Sequence, residues 1–260
     1  MTASDAGNGD HPPIASGVRL ADLSWQEAAE ALNPDTLVVI PLGAAAKEHG
    51  PHLRLDNDLR LADALVDHVI ERCPAVFAPT VPYHHYPAFT EYPGSVSLRF
   101  ATARDLIVDV VNSLAAYGPR RFYVLNTGVS TVEPLRAAAE LLQESRIILR
   151  FTDIVTVAAD VEHQIARQRR GSHADEIETS LMLYLAPDRV DMARAVKDDL
   201  PRTDQGGFTR KAGHVGIYSP SGVWGDPTLA SREKGRRVAE AIIDGIIDDV
   251  ARLRRLPSTT

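Results

Sequence analysis

Twelve residues, from Lys47 to Asp58, carry Lys47, Glu48, His49, His52, Asp56 and Asp58. Imidazole and carboxylate together, with no thiolate, are the ligand set of a borderline or hard divalent ion such as Zn, Mn or Fe. The plainer alternative is a solvated loop in which Asp58 caps the following helix. The two roles can coexist, because a carboxylate has several lone-pair sites. A second segment, Tyr83 to Ser95, interleaves His84 and His85 with Tyr83, Tyr86, Phe89 and Tyr92, a mixture suited to a pocket wall, and ends in a turn built on Pro93-Gly94. A third, Gly171 to Ser180, sets His173, Asp175, Glu176 and Glu178 in the first turns of a predicted helix. The helix dipole alone favours acids there. Glu178 stands apart because an apolar run follows Ser180, so this end of the helix is expected to face inward, where a carboxylate needs a cation.

These segments need a frame, and the hydrophobic pattern predicts one. Ser24-Trp25-Gln26-Glu27 is a capping-box sequence opening a helix to about Leu32, and Thr36 to Ile40 is a short β-branched run bounded by Pro and Gly, as in a buried parallel strand. The alternation continues with a helix at Asp58–Arg72, a strand at Ala75–Ala78, a helix at Ala103–Tyr117, a strand at Arg121–Leu125, a helix at Glu133–Gln143 and a strand at Ile147–Val155. A helix at His173–Leu185, a Gly-rich polar stretch at Asp204–Gly225 and a last helix at Pro227–Arg255 complete it. Strands separated by helices form βαβ units, so the fold class is α/β with a mainly parallel sheet covered on both faces. In such a sheet ligands sit outside the carboxyl ends of strands, which is where the first two candidate segments fall. Residues 1–16, rich in Gly, Pro, Asp and Asn, are expected to be a mobile tail, and residues 17–258 a single domain. Trp25 and Trp224 are expected in the core or at its rim, His68 and His163 on helix surfaces, and Asp226 as the cap of the last helix, ahead of Pro227.

Composition narrows the function classes. The chain has 260 residues and a formal net charge of −7, so no basic field draws it to nucleic acid or anionic lipid. A single cysteine, Cys73, excludes an intrachain disulfide and fits a reducing cytoplasm. The apolar runs fall well short of the roughly 20 residues that span a bilayer, and the amino terminus lacks the basic-then-apolar order of a signal peptide.

Taken in order, four segments resemble the creatininase (creatinine amidohydrolase) family. Leu42-Gly43 through Glu48-His-Gly-Pro-His-Leu53 to Asp58 resembles "G-S-x-E-Q-H-G-P-H-L-P-L-x-x-D", and Tyr92-Pro-Gly-Ser95 resembles "F-P-G-T". His173-Ala-x-Glu-x-Glu-Thr-Ser180 resembles "H-A-G-E-x-E-T-S", and Gly222-Val-x-Gly-Asp-Pro-Thr228 resembles "G-V-x-G-D-P-T". The resemblance implies a three-layer αβα fold, a metal site and hydrolysis of a C–N bond in a small cyclic amide or formamide. It also implies a homo-oligomer, commonly a hexamer. Carried over residue by residue, His49 and Asp58 match metal ligands, Asp58 in the position that bridges two ions. His173 matches a catalytic or substrate-binding histidine, and Glu178 an acid expected to bind metal.

The sequence also departs from that pattern. The ligand Glu of "E-Q-H" aligns with Lys47, with Glu48 the only acid nearby, and "N-G-H-G-G-N" reads Asn126-Thr-Gly-Val-Ser-Thr131. Gly128 and Ser130 therefore stand where a His and a Glu ligand are expected. The expectation is a hydrolase acting on a small molecule through one ion, Zn first and Mn or Fe as alternatives, held by Glu48, His49, Asp58 and Glu178. His173, Glu178 and Lys47 are its catalytic candidates. The alternatives are a relative that has lost hydrolysis and serves as a binding or assembly subunit, or one using the same pocket for other chemistry in biosynthesis. In that last case Lys47 would be a fixed cation in place of an ion.

Overall fold

A computed structural model describes residues 16–199 and 207–257. The expected tail lies outside them apart from Ser16, as do residues 204–206 of the Gly-rich stretch. The core is one five-stranded, all-parallel sheet made of β1 (Val18–Arg19), β2 (Leu37–Leu42), β3 (Val76–Phe77), β4 (Arg121–Asn126) and β5 (Ile148–Phe151), in the order β1-β3-β2-β4-β5. Among the described residues seven α-helices accompany it: α1 (Trp25–Ala31), α2 (Asn57–Val69), α3 (Phe100–Ala115), α4 (Val132–Gln143), α5 (Ala159–Ile165), α6 (Glu176–Leu185) and α7 (Arg232–Arg255).

The period of two along the central strands divides the core. Leu37 and Val39 of β2, with Tyr123 and Leu125 of β4, face Leu65 and Val66 of α2, Leu181 of α6 and Ile242 and Ile246 of α7. Val38, Ile40 and Leu42, with Phe122 and Val124, face Ile107 and Val111 of α3 and Leu135 and Ala138 of α4. Burying each such side chain contributes about 1.5–3 kcal/mol, and covering both faces gives the three-layer αβα arrangement. β2 and β4 are neighbours in register, Leu42 opposite Asn126, yet the helices that follow them lie on opposite faces. Their loops part at that point and open a crevice, the usual ligand position in an open parallel sheet.

Several expected boundaries shift for identifiable reasons. Asp56, not Asp58, occupies the cap position of α2, and it makes no side-chain cap bond there because Arg60 and Arg189 take its carboxylate. Asp58 is therefore inside the first turn. The helix expected from His173 starts at Glu176, where Asp175 accepts from the amides of Ile177 and Glu178. His173 lies before it, bridged to Trp224. The last helix is likewise interrupted: Asp226 caps a short 3-10 turn at Pro227–Leu229, and Ser231 then caps α7. β5 ends four residues early because Asp153 closes a turn onto the amide of Val155. Trp25 lies on the outer surface, 78% exposed, while its helix keeps the expected capping box of Ser24 and Glu27. His68 and His163 are exposed as expected. Among the described residues no helix is long and apolar enough to cross a membrane.

Candidate metal centre

The crevice is built by close backbone approach. A side chain at Gly43, at the end of β2, would run into the backbone carbonyl of Asp58, so glycine lets the first turn of α2 sit directly on the strand end. Thr127 Oγ1, at the end of β4, donates to the carbonyl of Leu42 at 3.0 Å and faces that of Asp58 at 3.3 Å. The two strand ends and the helix start thus become one rigid unit, and Asp58 is carried into the crevice with 1% of its surface exposed.

Three donors converge there. His49 Nε2 lies 2.7 Å from Asp58 Oδ1 and 3.3 Å from Glu178 Oε1. Its other nitrogen, Nδ1, is 2.9 Å from the carbonyl of Lys47, which can only accept, so Nδ1 carries a proton. Nε2 therefore faces two carboxylate oxygens, and lone pairs on all three atoms would repel one another. A proton shared among them or a metal ion relieves that repulsion. Without metal it is the proton: burial would push the His49 pKa down, but the carboxylates of Asp58 and Glu178 outweigh it and raise it to about 9. Glu178 is held below the usual carboxylate range, burial being outweighed by His49, His173 and Lys47. Asp58 is lowered for the same reason by Lys47 and His49.

Glu178 is fixed from behind. Its Oε2 accepts from the amide of Ala174 at 2.6 Å, and Asn57 Nδ2 donates to Oε1 at 3.3 Å. Ala174 has φ 48°, a left-handed conformation unusual for a residue with a side chain, which turns that amide toward the carboxylate. His173 adds a further ring, with Nδ1 3.9 Å from Glu178 Oε2. His49, His173 and Glu178 offer ligand atoms within 4.8 Å of one another.

The remaining expected residues divide. Glu48 turns to His173, 3.1 Å from Nε2, with its own amide donating to Ser95 Oγ at 2.9 Å. Gly222, at φ 73°, makes room, since a side chain there would run into the Glu48 carboxylate. His52 binds Thr179 Oγ1 at 2.8 Å, and burial lowers its pKa to about 4. Asp56 pairs with Arg189 outside the cluster. His84 and His85 do not join the donors: His84 is fully buried elsewhere, and His85 Nδ1 holds the carbonyl of Leu98. Sequence reasoning missed Phe208, whose ring centroid lies 5.4 Å from that of His173 and 5.7 Å from that of Phe89. Nothing in its Gly-rich surroundings marked it. With Phe89, Tyr92 and Trp224 it forms an aromatic cover over the histidine.

The family model for creatinine amidohydrolase matches residues 21–250. This chain belongs to the creatininase family of hydrolases. It is 31% identical over 222 residues, 83% of this chain and 85% of the relative, to the mycofactocin precursor peptide peptidase of Mycolicibacterium smegmatis. To the creatinine amidohydrolase of Pseudomonas putida it is 28% identical over 256 residues, 91% and 97% of the two chains. A crystal structure of creatininase superposes with a TM-score of 0.78 at 25% identity, covering 92% of this chain and 99% of that one. Other solved creatininases are described as a Mn form and a Zn-Zn type.

The positions that depart from the family pattern are engaged in contacts of their own. Lys47 Nζ lies 2.7 Å from Asp58 Oδ2, and 4.9 Å and 5.5 Å from the ring centroids of Phe89 and Tyr86. Ser130 Oγ donates to the carbonyl of His85 at 2.9 Å. A Cβ on Gly128 would stand 3.0 Å from Thr131 and 3.3 Å from the Tyr86 ring, so little room is left for a longer side chain.

Proposed function

We propose that this creatininase-family hydrolase cleaves a C–N bond of a small cyclic amide or formamide with one divalent ion, Zn first, held by His49, Asp58 and Glu178. The observation that supports this is the convergence of His49 Nε2 with Asp58 Oδ1 and Glu178 Oε1, three ligand atoms suited to a shared cation. The bond from His49 Nδ1 to the Lys47 carbonyl fits a ligand histidine, because it fixes the tautomer with Nε2 free to coordinate. When bound, such an ion polarises a carbonyl and lowers the pKa of water.

The chain's own groups supply the rest. Glu48 orients His173 as the carboxylate of a carboxylate–histidine pair, so that His173 can deliver a proton to the leaving nitrogen. Lys47 would set its ammonium against the oxygen that gains negative charge, in the position where the family pattern has a second ligand set. The aromatic cover of Phe89 and Phe208 excludes water and favours a compact substrate. We further infer a homo-oligomer in the cytoplasm: Leu55, Tyr83, Val96 and Phe100, exposed around the site loops, are suited to contact with a second copy.

The test is a panel of N-formyl compounds, cyclic ureides and lactams, and short peptides incubated with zinc-loaded protein. Hydrolysis of a cyclic amide or formamide that chelator abolishes and zinc restores is expected. Turnover that survives full removal of metal, or cleavage of the peptides alone, would contradict the proposal.

A further inference from the structure

Among the described residues the Tyr86 hydroxyl finds nothing to donate to. The residue is 2% exposed, and its oxygen is buried without a hydrogen-bond partner among the described residues. Leaving a buried hydroxyl unsatisfied is destabilising, a cost phenylalanine would not carry. The ring itself is firmly placed. Its backbone amide donates to Ser97 Oγ at 2.8 Å, and it packs in the cluster of Ala44, Phe89, Tyr92 and Phe208. It lies beside Lys47 and against Gly128, on the side of the centre where the family pattern's histidine is absent. Burial, with the nearby charge of Asp58, holds the phenol well above its ordinary value, so it is a neutral O–H donor across the physiological range.

A buried neutral hydroxyl close enough to feel the Asp58 charge, on a ring that carries the Lys47 ammonium over its face, lacks an acceptor oxygen. We propose that Tyr86 is a further catalytic residue, whose hydroxyl donates to the substrate oxygen that gains negative charge while Lys47 opposes that charge from the other side. This rests on the hydrolytic reading of the centre. Gly128 is what makes it possible, since a bulky side chain there would displace the ring. The substrate class follows: an amide or formamide whose carbonyl oxygen becomes an oxyanion between a phenol and an ammonium.

The experiment compares wild type with Tyr86→Phe, using acetohydroxamate as an oxyanion probe on zinc-loaded protein. In Tyr86→Phe the probe should bind at least tenfold more weakly with zinc content unchanged. The thermal midpoint of the ligand-free variant should rise, because an unsatisfied polar group has been removed. Equal hydroxamate affinity in the two proteins, or a lower midpoint in the variant, overturns the role of Tyr86 and leaves the metal centre standing. A wild type that takes up neither zinc nor hydroxamate overturns the centre and the Tyr86 role together.

Discussion

The two halves of the centre meet the same electrostatic demand with different cations. On the Glu178 side, His49 Nε2 faces two carboxylate oxygens, and the charge among them is exchangeable, a proton or an ion. On the Gly128 side, the other oxygen of Asp58 holds the Lys47 ammonium at 2.7 Å, a cation tethered to the chain. Asp58 thus joins an exchangeable charge to a tethered one. On the proposed reading, one lysine and the vacant Cβ at Gly128 take the place of a second ligand set while the central carboxylate stays.

The sharpest break falls on the exchangeable half. His49→Ala and Asp58→Ala should each abolish zinc retention and reduce turnover by about a thousandfold or more. The double variant should be no worse than either alone, because residues acting through one ion are not additive. Losses that multiply would separate their roles.

The tethered half should respond through stability. Lys47→Met leaves the Asp58 carboxylate buried with one oxygen uncompensated, and breaking a buried pair from one side costs about 3–5 kcal/mol. Denaturant unfolding of the zinc-free protein reads this directly, and a cost below about 1 kcal/mol would show that Lys47 is not the counter-charge.

A smaller effect distinguishes the halves by pH. In zinc-free protein the folded pKa of His49, about 9, exceeds the ordinary value of about 6.5, so its stabilising effect is complete below pH 6.5 and disappears as pH rises through 9. The loss should be on the order of 3 kcal/mol. At the acid end, Asp58 and Glu178, both lowered, should lose their contribution as pH falls below about 4. Zinc should flatten the alkaline limb, since the metal replaces the proton. Thermal midpoints across pH 5–10, with and without zinc, check this, and a zinc-free midpoint unchanged between pH 6.5 and 9 would remove His49 as the exchangeable position.

The layers were legible because β2 and β4 are short, fully buried, largely apolar runs between amphipathic helices, a pattern that burial on both faces leaves in any sequence. Helix starts were less so. Asp58 and Asp226 resemble caps of long helices, but Asp56 takes the cap position of α2, its carboxylate held by Arg189 far along the chain, and Asp226 caps a short turn. β1 and α5 are too short to leave a periodicity. At the site, His49, Asp58, His173 and Glu178 stood out by type and spacing. Phe208 and the isolated hydroxyl of Tyr86 did not, because a cover and a missing partner are properties of three-dimensional packing.

The number of metal ions per chain bears most directly on a centre with one exchangeable and one tethered cation. Elemental analysis of protein purified without chelator should give close to one equivalent of zinc or another divalent ion, absent from His49→Ala and retained in Tyr86→Phe. Two full equivalents would contradict the tethered half, because an ion would then occupy the place assigned to Lys47, and no bound metal after zinc loading would contradict the exchangeable one.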